Sequence, residues 1–265
     1  MTEPELYLTH RRGCNRIELY LDEHPLTDSE RQGLEEFQRR RQNGEPLQYI
    51  LGETEFYGFR IKVDERVLIP RPETEILVDL ALEECRRFAE RSLRILDMGT
   101  GSGNLAIALA KKLPQSKIRA IDRSQAALDL ALENAKINLV DEQIDFVCAD
   151  LLEAFHLQGE PLKKFDLIVS NPPYIPTEDI ACLSIEVQRE PRLALDGGTD
   201  GLDFLRRMIK DGGRFLVPGG CLLVECGDGQ AGKIREIFQP MSGFQDCRIF
   251  KDLNQKDRLV KVRRE

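Results

Sequence analysis

The sequence has no tryptophan, only three histidines and no long apolar run. The histidines, at positions 10, 24 and 156, have no partner at metal-ligand spacing, so we expect no metal centre. No stretch approaches the ~18 consecutive apolar residues of a membrane span, and residues 1–7 lack the apolar segment of a secretory signal. We therefore expect a cytoplasmic protein that does not bind a membrane.

Cysteine usage and charge exclude further classes. The seven cysteines are odd in number, none forms a Cys-x-x-Cys pair, and several lie in apolar stretches. This pattern predicts reduced, buried thiols in a reducing compartment. The net charge of −8 disfavours direct nucleic-acid binding, because such proteins usually present a basic surface.

The 265 residues suffice for a large domain and a small companion. Residues 1–46 have a helical pattern and predict a small N-terminal domain. In it, Thr27 is a candidate N-cap with Glu30 at capping-box spacing, and Asn43-Gly44 ends the helix. Alternating apolar residues predict a hairpin-like linker over 47–69. A second helix follows Pro70, and residues 70–265 form the predicted main domain.

Short apolar strands alternate with helices from Arg94 onward. We predict helices over 103–113 and 124–139, and strands over 94–98, 117–121, 143–148, 166–170 and 221–226. This alternation predicts an α/β fold with a parallel, doubly wound sheet covered on both faces. Two final strands, 244–250 and 258–263, have no helix between them and should pair antiparallel.

The first of these strands ends in the sequence DMGTGSG, residues 97–103. Glycines between a strand and a helix let the backbone approach a ligand, and the helix N-terminus favours negative groups. This segment predicts a cofactor loop whose contacts are Asp97, Gly99, Thr100, Gly101, Ser102 and Gly103. Two cofactors are compatible with this loop. One is S-adenosylmethionine; the other is a nicotinamide dinucleotide, because Gly101, Gly103 and Ala106 satisfy the G-x-G-x-x-A pattern of dinucleotide sites.

Acidic residues at strand ends refine this prediction. Asp122 can accept both ribose hydroxyls of either cofactor; as a helix cap it is a poorer candidate than Ser124. Asp150 and Leu151 are predicted to meet the adenine edge and face, although a simple turn explains them equally well. Asp97 favours S-adenosylmethionine, because it can bind a methionine ammonium but would repel a pyrophosphate.

The fourth strand leads directly into Asn171-Pro172-Pro173-Tyr174, at the edge where open α/β sheets place their chemistry. An amide nitrogen is a poor nucleophile, since its lone pair is delocalised into the carbonyl. The Asn171 side-chain oxygen and the Pro172 carbonyl can each accept one N–H of an acceptor NH2 group, which turns the lone pair towards a methyl donor. Prolines hold these acceptors rigidly, and Tyr174 can cover the planar acceptor.

These residues predict methyl transfer to an amide. Asn171, Pro172 and Tyr174 are the predicted catalytic residues, Asn171 also adjoins the cofactor, and Pro173 helps to bind the substrate. An amino methyltransferase acting on a nucleic-acid base is the alternative, but it would need basic surface. A non-catalytic binding protein is a third hypothesis, although it has no use for two rigid acceptors at the pocket mouth.

These motifs together resemble the PrmC/HemK group, the glutamine-N5 methyltransferases of peptide-chain release factors. The likeness rests on DMGTGSG, Asp122 and SNPPY, and extends to VLIPRPETE (67–75) and EPRLALDGGTDGLDFLRRMI (190–209). It implies a Rossmann-like class I methyltransferase fold, S-adenosylmethionine as donor, and the Gly-Gly-Gln glutamine of class I release factors as acceptor. It further implies that residues 171–174 hold the glutamine and that the N-terminal domain helps to dock the release factor.

Overall fold

The chain begins with four short helices. The computed structural model describes residues 1–22, 24–88, 92–151, 164–239 and 243–265, so His156 lies outside the described residues. Within them the first helices are α1 (Glu3–Arg12), α2 (Arg16–Leu21), α3 (Asp28–Gln42) and α4 (Leu47–Leu51). The capping box predicted for α3 is confirmed: the Thr27 side chain accepts from the Glu30 N–H, and the Glu30 carboxylate accepts from the Thr27 N–H. Asn43 caps its C-terminus.

The predicted hairpin is confirmed as β1 (Glu53–Phe56) paired antiparallel with β2 (Phe59–Lys62). The preceding residues differ from the prediction, because α4 is a helix that starts after Pro46 and ends at Gly52. The hairpin is also more than a linker. Phe56 and Ile61 are 1% and 0% exposed and belong to the core of the main domain.

The described residues of the main domain form a seven-stranded sheet with the order β5-β4-β3-β6-β7-β9-β8. Its strands are β3 (Arg94–Met98), β4 (Lys117–Asp122), β5 (Ile144–Cys148), β6 (Phe165–Ser170), β7 (Leu216–Glu225), β8 (Phe244–Lys251) and β9 (Asp257–Arg264). The first five are parallel, and β9 is antiparallel to both β7 and β8, as the sequence predicted. The strand order reverses between β3 and β6, and a crevice opens at the carboxyl ends of strands at such a point.

Helices cover both faces of this sheet, which confirms the α/β prediction. They are α5 (Thr74–Cys85), α6 (Asn104–Lys112), α7 (Gln125–Ile137), α10 (Asp203–Phe215) and α11 (Ala231–Phe238). Two four-residue helices, α8 (Ile185–Gln188) and α9 (Arg192–Leu195), lie between β6 and α10 in the chain. Successive residues of β3 point to opposite faces: Ile95 packs with α5, α6 and α7, and Leu96 packs with α10 and α11. No described helix is both long and apolar enough to cross a membrane.

A buried ion cluster attaches α5 to the last strand. The Glu84 carboxylate accepts hydrogen bonds from Lys261, at 2.8 Å, and from Arg263. The three residues are only 5%, 7% and 7% exposed. Charges removed from water are tolerated when they are paired and hydrogen-bonded. The cluster therefore holds α5, whose first residue reaches the site described below, against β9.

We expect Glu84→Ala to destabilise the fold by about 3–5 kcal/mol, because it leaves two buried cations without their shared anion. Glu83→Ala is the matched control, since Glu83 is the exposed neighbour on the same helix and should change stability by less than about 0.5 kcal/mol. Urea denaturation followed by circular dichroism measures both. Equal losses for the two variants would contradict a role for the buried cluster.

Candidate active site

A cleft of about 660 Å³ opens at the carboxyl ends of the central strands. It is lined by nine of the residues predicted from sequence: Gly99, Thr100, Gly101, Ser102, Asp122, Asp150, Leu151, Asn171 and Pro173. Asp97, Gly103, Pro172 and Tyr174 are not on its wall. The structure thus brings the predicted cofactor loop and the predicted acceptor motif to one cavity.

The loop between β3 and α6 needs its glycines for two different reasons. Gly101 has a φ of +54°, and a Cβ there would meet nothing within 4 Å, so its backbone faces open cleft. Gly103 has a φ of +81°, and a Cβ there would lie 3.1 Å from the Ala131 Cβ. Residues with side chains rarely adopt such backbone angles. The loop can therefore lie close to a ligand on one side and to α7 on the other.

Asp122 fixes the position of this loop. Its carboxylate accepts from the Gly101 N–H at 2.9 Å and from the Ser124 N–H at 2.9 Å, one bond to each oxygen. Burial raises the pKa of Asp122, and these backbone hydrogen bonds partly offset the rise. Each oxygen keeps lone-pair capacity for a second donor, as ribose hydroxyls require. Ser124 caps α7 by accepting from the Ala127 N–H at 3.2 Å, as predicted.

Asp97 lies beneath the loop rather than on the cleft wall. Its Oδ2 accepts from the Thr100 hydroxyl at 2.6 Å, whereas its buried Oδ1 has no hydrogen-bond partner among the described residues. Burial raises the pKa of Asp97 to about 7. A buried acceptor without a donor costs about 1–3 kcal/mol. Because Asp97 is fully buried and does not line the cleft, its predicted contact with an ammonium group stays a prediction.

The part of the cleft predicted to bind adenine involves Arg207, a residue that the sequence did not single out. Asp150 accepts from Arg207 of α10 at 2.9 Å, and both residues line the cleft. Leu151, also on the wall, has a φ of 55°, which is uncommon for a residue with a side chain. Leu151 therefore presents an apolar surface beside the Asp150 carboxylate, which already accepts a hydrogen bond from Arg207.

The acceptor motif is the start of a chain of buried side-chain hydrogen bonds. Asn171 Nδ2 donates to Thr74 Oγ1 at 3.1 Å, and the Thr74 hydroxyl donates to Glu225 Oε2 at 2.7 Å. The Tyr174 hydroxyl donates to the other Glu225 oxygen at 3.3 Å. Thr74 and Glu225 are each 1% exposed. No donor to Asn171 Oδ1 occurs among the residues that the structure describes.

Sequence reasoning missed both Thr74 and Glu225, although signals for both were present. Glu225 ends an apolar strand, as Asp122 does, and Thr74 lies in the VLIPRPETE segment. Burial raises the pKa of Glu225 to about 7, against the hydrogen bond from Thr74 and the charge of Arg258. Tyr174 was expected to cover the acceptor. Its hydroxyl instead bonds Glu225, and that covering role stays a prediction.

The backbone of the acceptor motif is held by the loop that follows it. The Ile175 N–H donates to Leu195 O at 3.0 Å, and the Gly197 N–H donates to Ile175 O at 2.8 Å. On the other side, Gln230 Nε2 donates to Tyr174 O at 2.8 Å. These bonds fix the course of the chain immediately after Asn171, so the amide at the cleft is carried by a rigid segment.

The end of the segment predicted as a linker, with the first residue of the predicted main domain, supplies another part of the wall. Val67 and Leu68 of the linker and Pro70 of the main domain line the cleft. Their course is set by Glu190, which is 4% exposed and accepts from the Ile69 N–H at 3.0 Å and from Arg71. The VLIPRPETE and EPRLALDGGTDG segments, noted above only as a likeness, therefore meet each other at the site.

Comparison with known families gives two matches. The family described as "PrmC N-terminal domain" matches residues 2–52, and the family described as "Methyltransferase small domain" matches residues 74–185. The second range includes the cofactor loop and the acceptor motif.

Similar proteins match over nearly the whole chain. The release factor glutamine methyltransferase of Chlorobaculum tepidum is 44% identical over 96% of this chain and 87% of its own length. The proteins of that name from Geobacter sulfurreducens and Deinococcus radiodurans are 42% and 41% identical, over 97% and 99% of this chain and 87% and 90% of their own lengths.

Solved structures share the fold at lower identity. The catalytic domain of hMettl16 has a TM-score of 0.63 at 16% identity and covers 83% of this chain and 82% of its own. A ribosomal protein L11 methylase from Lactobacillus delbrueckii subsp. bulgaricus has a TM-score of 0.53 at 24% identity, covering 77% and 85%. These likenesses confirm the class I methyltransferase fold.

We expect Asp122→Ala to weaken S-adenosylmethionine binding by roughly tenfold to 150-fold, because a hydrogen bond to a charged group contributes about 1.5–3 kcal/mol. Asp129→Ala, an exposed carboxylate on α7, is the control and should bind as the unmodified protein does. Calorimetry measures both affinities. An unchanged affinity in Asp122→Ala, or tighter binding of NADH than of S-adenosylmethionine by the unmodified protein, would contradict this assignment.

Proposed function

The chain belongs to the release factor glutamine methyltransferase family, and on this premise we propose its reaction and substrate in detail. It transfers the methyl group of S-adenosyl-L-methionine to the side-chain amide nitrogen, N5, of the glutamine in the Gly-Gly-Gln motif of class I release factors. The nucleic-acid alternative finds no support in the full-length relatives, which carry the release factor name.

The observation that carries this proposal is the orientation of Asn171. Its nitrogen donates to Thr74, its oxygen has no donor among the described residues, and the residue lines the cleft, so we place the oxygen at the cleft as an acceptor. An acceptor oxygen suits one N–H of a primary amide; the Pro172 carbonyl, which does not lie on the cleft wall, would have to turn towards the cleft to accept the other. With both hydrogens held, the nitrogen lone pair faces the methyl donor.

The residues around the cleft fit the proposed donor. S-adenosylmethionine supplies an electrophilic methyl group on a sulfonium. Asp122 would accept its ribose hydroxyls, the loop from Gly99 to Gly103 would hold its methionine portion above Asp97, and Leu151 would cover its adenine. Positioning of this kind can supply about 7–11 kcal/mol of rate enhancement. As the new N–CH3 bond forms, S-adenosyl-L-homocysteine leaves, and no general base is needed because the amide proton is lost to water after the methyl transfer. The mechanism we propose needs no metal ion.

Residues 1–46 form, in this proposal, a domain that helps to dock the release factor, while residues 70–265 carry the chemistry. Three apolar side chains of α2 support the docking role, since Ile17, Tyr20 and Leu21 are 71%, 65% and 74% exposed. The domain also contacts the loop after the acceptor motif, where Arg41 bonds Glu186 at 2.9 Å.

Mass spectrometry of a release factor incubated with enzyme and S-adenosylmethionine tests the reaction. We expect one added methyl group on the Gly-Gly-Gln glutamine. Asn171→Ala should lower turnover by about 10²–10³ and leave cofactor affinity within about twofold, because Asn171 orients the acceptor. Methylation of a nucleic acid but not of the release factor would overturn the proposal, and near-normal turnover by the variant would overturn the role of Asn171.

We expect Ile17→Glu with Leu21→Glu to lower kcat/KM on an intact release factor by about tenfold, since a buried apolar anchor contributes about 1–2 kcal/mol to binding. Activity on a short Gly-Gly-Gln peptide should not change, because the peptide cannot reach α2. Leu253→Glu, at a site 93% exposed in the β8–β9 turn, is the control. Equal fractional losses on both substrates would refute docking at α2.

A further inference from the structure

We propose that Thr74 and Glu225 are positioning residues that fix which atom of the Asn171 amide faces the acceptor. This inference rests on the proposed function and deepens it. It concerns two residues outside the acceptor motif, one at the start of α5 and one at the end of β7.

The direction of the hydrogen-bond chain follows from what each group can donate. In its ionised form Glu225 only accepts hydrogen bonds, so it takes the single hydroxyl hydrogen of Thr74. Thr74 Oγ1 then has only lone pairs left for Asn171. It can pair with the Asn171 NH2 group and cannot pair with the Asn171 oxygen. The carboxylate therefore selects one of the two orientations of the amide, with its oxygen towards the cleft.

This selection matters because the wrong orientation is unproductive. An Asn171 NH2 group facing the cleft would meet the NH2 group of the glutamine, donor against donor. The side-chain amide is planar, and its two ends are nearly equal in size, so packing alone does not choose between them. Hydrogen bonding is what distinguishes the ends.

Burial makes the selection firm. Glu225 and Thr74 are almost fully enclosed, where hydrogen bonds are electrostatically stronger than in water and unpaired groups are costly. The second Glu225 oxygen is occupied by the Tyr174 hydroxyl. Both ends of the acceptor motif thus attach to the same carboxylate, and Asn171 has little freedom to turn.

The test compares Thr74→Val, which keeps the shape and removes the hydroxyl, with Thr74→Ser, which keeps the hydroxyl. We expect Thr74→Val to lower kcat on a release factor by about tenfold, with KM and S-adenosylmethionine affinity within about twofold. Thr74→Ser should retain most of the unmodified activity. If the valine variant proves unstable, Thr74→Ala makes the same comparison.

A double-mutant cycle separates positioning from general stability. If Thr74 acts through Asn171, then Thr74→Val should lower kcat by less than about twofold when Asn171 is already alanine. A tenfold loss in that background too would overturn the proposal. Where residual activity is too low to measure, the serine rescue and the comparison of kcat with KM decide.

Glu225→Gln tests the carboxylate itself. A glutamine can offer Thr74 either its oxygen or its nitrogen, so both Asn171 orientations become accessible and kcat should fall several-fold with cofactor affinity retained. An unchanged kcat would remove Glu225 from the proposal. Absence of turnover by the unmodified enzyme would count against the proposed function, whereas normal turnover by Thr74→Val would count against this inference alone.

Discussion

The site depends on carboxylates that are buried at the carboxyl edge of the sheet. A carboxylate taken out of water costs several kcal/mol unless hydrogen bonds replace its hydration, so each one determines where its donors lie. Asp122 holds the cofactor loop through a backbone N–H. Glu225 accepts a hydrogen bond from Thr74 at the start of α5, and Thr74 in turn accepts one from the Asn171 side-chain amide. Asp97 lies beneath the same loop and accepts from the Thr100 hydroxyl.

Local pattern was sufficient to predict most of the sheet and the two motifs on it. The strand predicted over 94–98 has those bounds, and the antiparallel pairing of the last two strands is confirmed. The start of β7 was missed, because residues 216–220 contain Pro218 and two glycines that disfavour a strand. The Thr74–Glu225 bond joins residues 151 positions apart, and no local periodicity predicts such a contact.

The segment predicted as a linker illustrates the same limit. Its alternating apolar residues correctly predicted a hairpin. The sequence pattern alone could not show that the hairpin packs into the core of the main domain, or that Val67 and Pro70 line the cleft. Glu190 creates that arrangement by bonding the backbone at Ile69. The segment therefore connects the N-terminal helices to the site physically, since it leads directly into Thr74. A partner bound to those helices would therefore lie near the hydrogen bonds by which, in our proposal, Thr74 and Glu225 orient the Asn171 side chain.

The direction of the hydrogen bond between Asn171 and Thr74 also bears on how such a site can distinguish glutamine from glutamate. In the proposed reaction, the Asn171 oxygen and the Pro172 carbonyl would accept the two N–H groups of the glutamine amide. A glutamate carboxylate has the same size and shape but offers only acceptors, so both site oxygens would lose their partners and face a negative charge. Sites built on buried polar groups can reject a non-complementary isostere by about 10⁴–10⁵, whereas an apolar pocket of the same shape rejects one only weakly. The positioning role that we propose for Thr74, which fixes the direction of the Asn171 amide, would therefore serve substrate choice as well as catalysis.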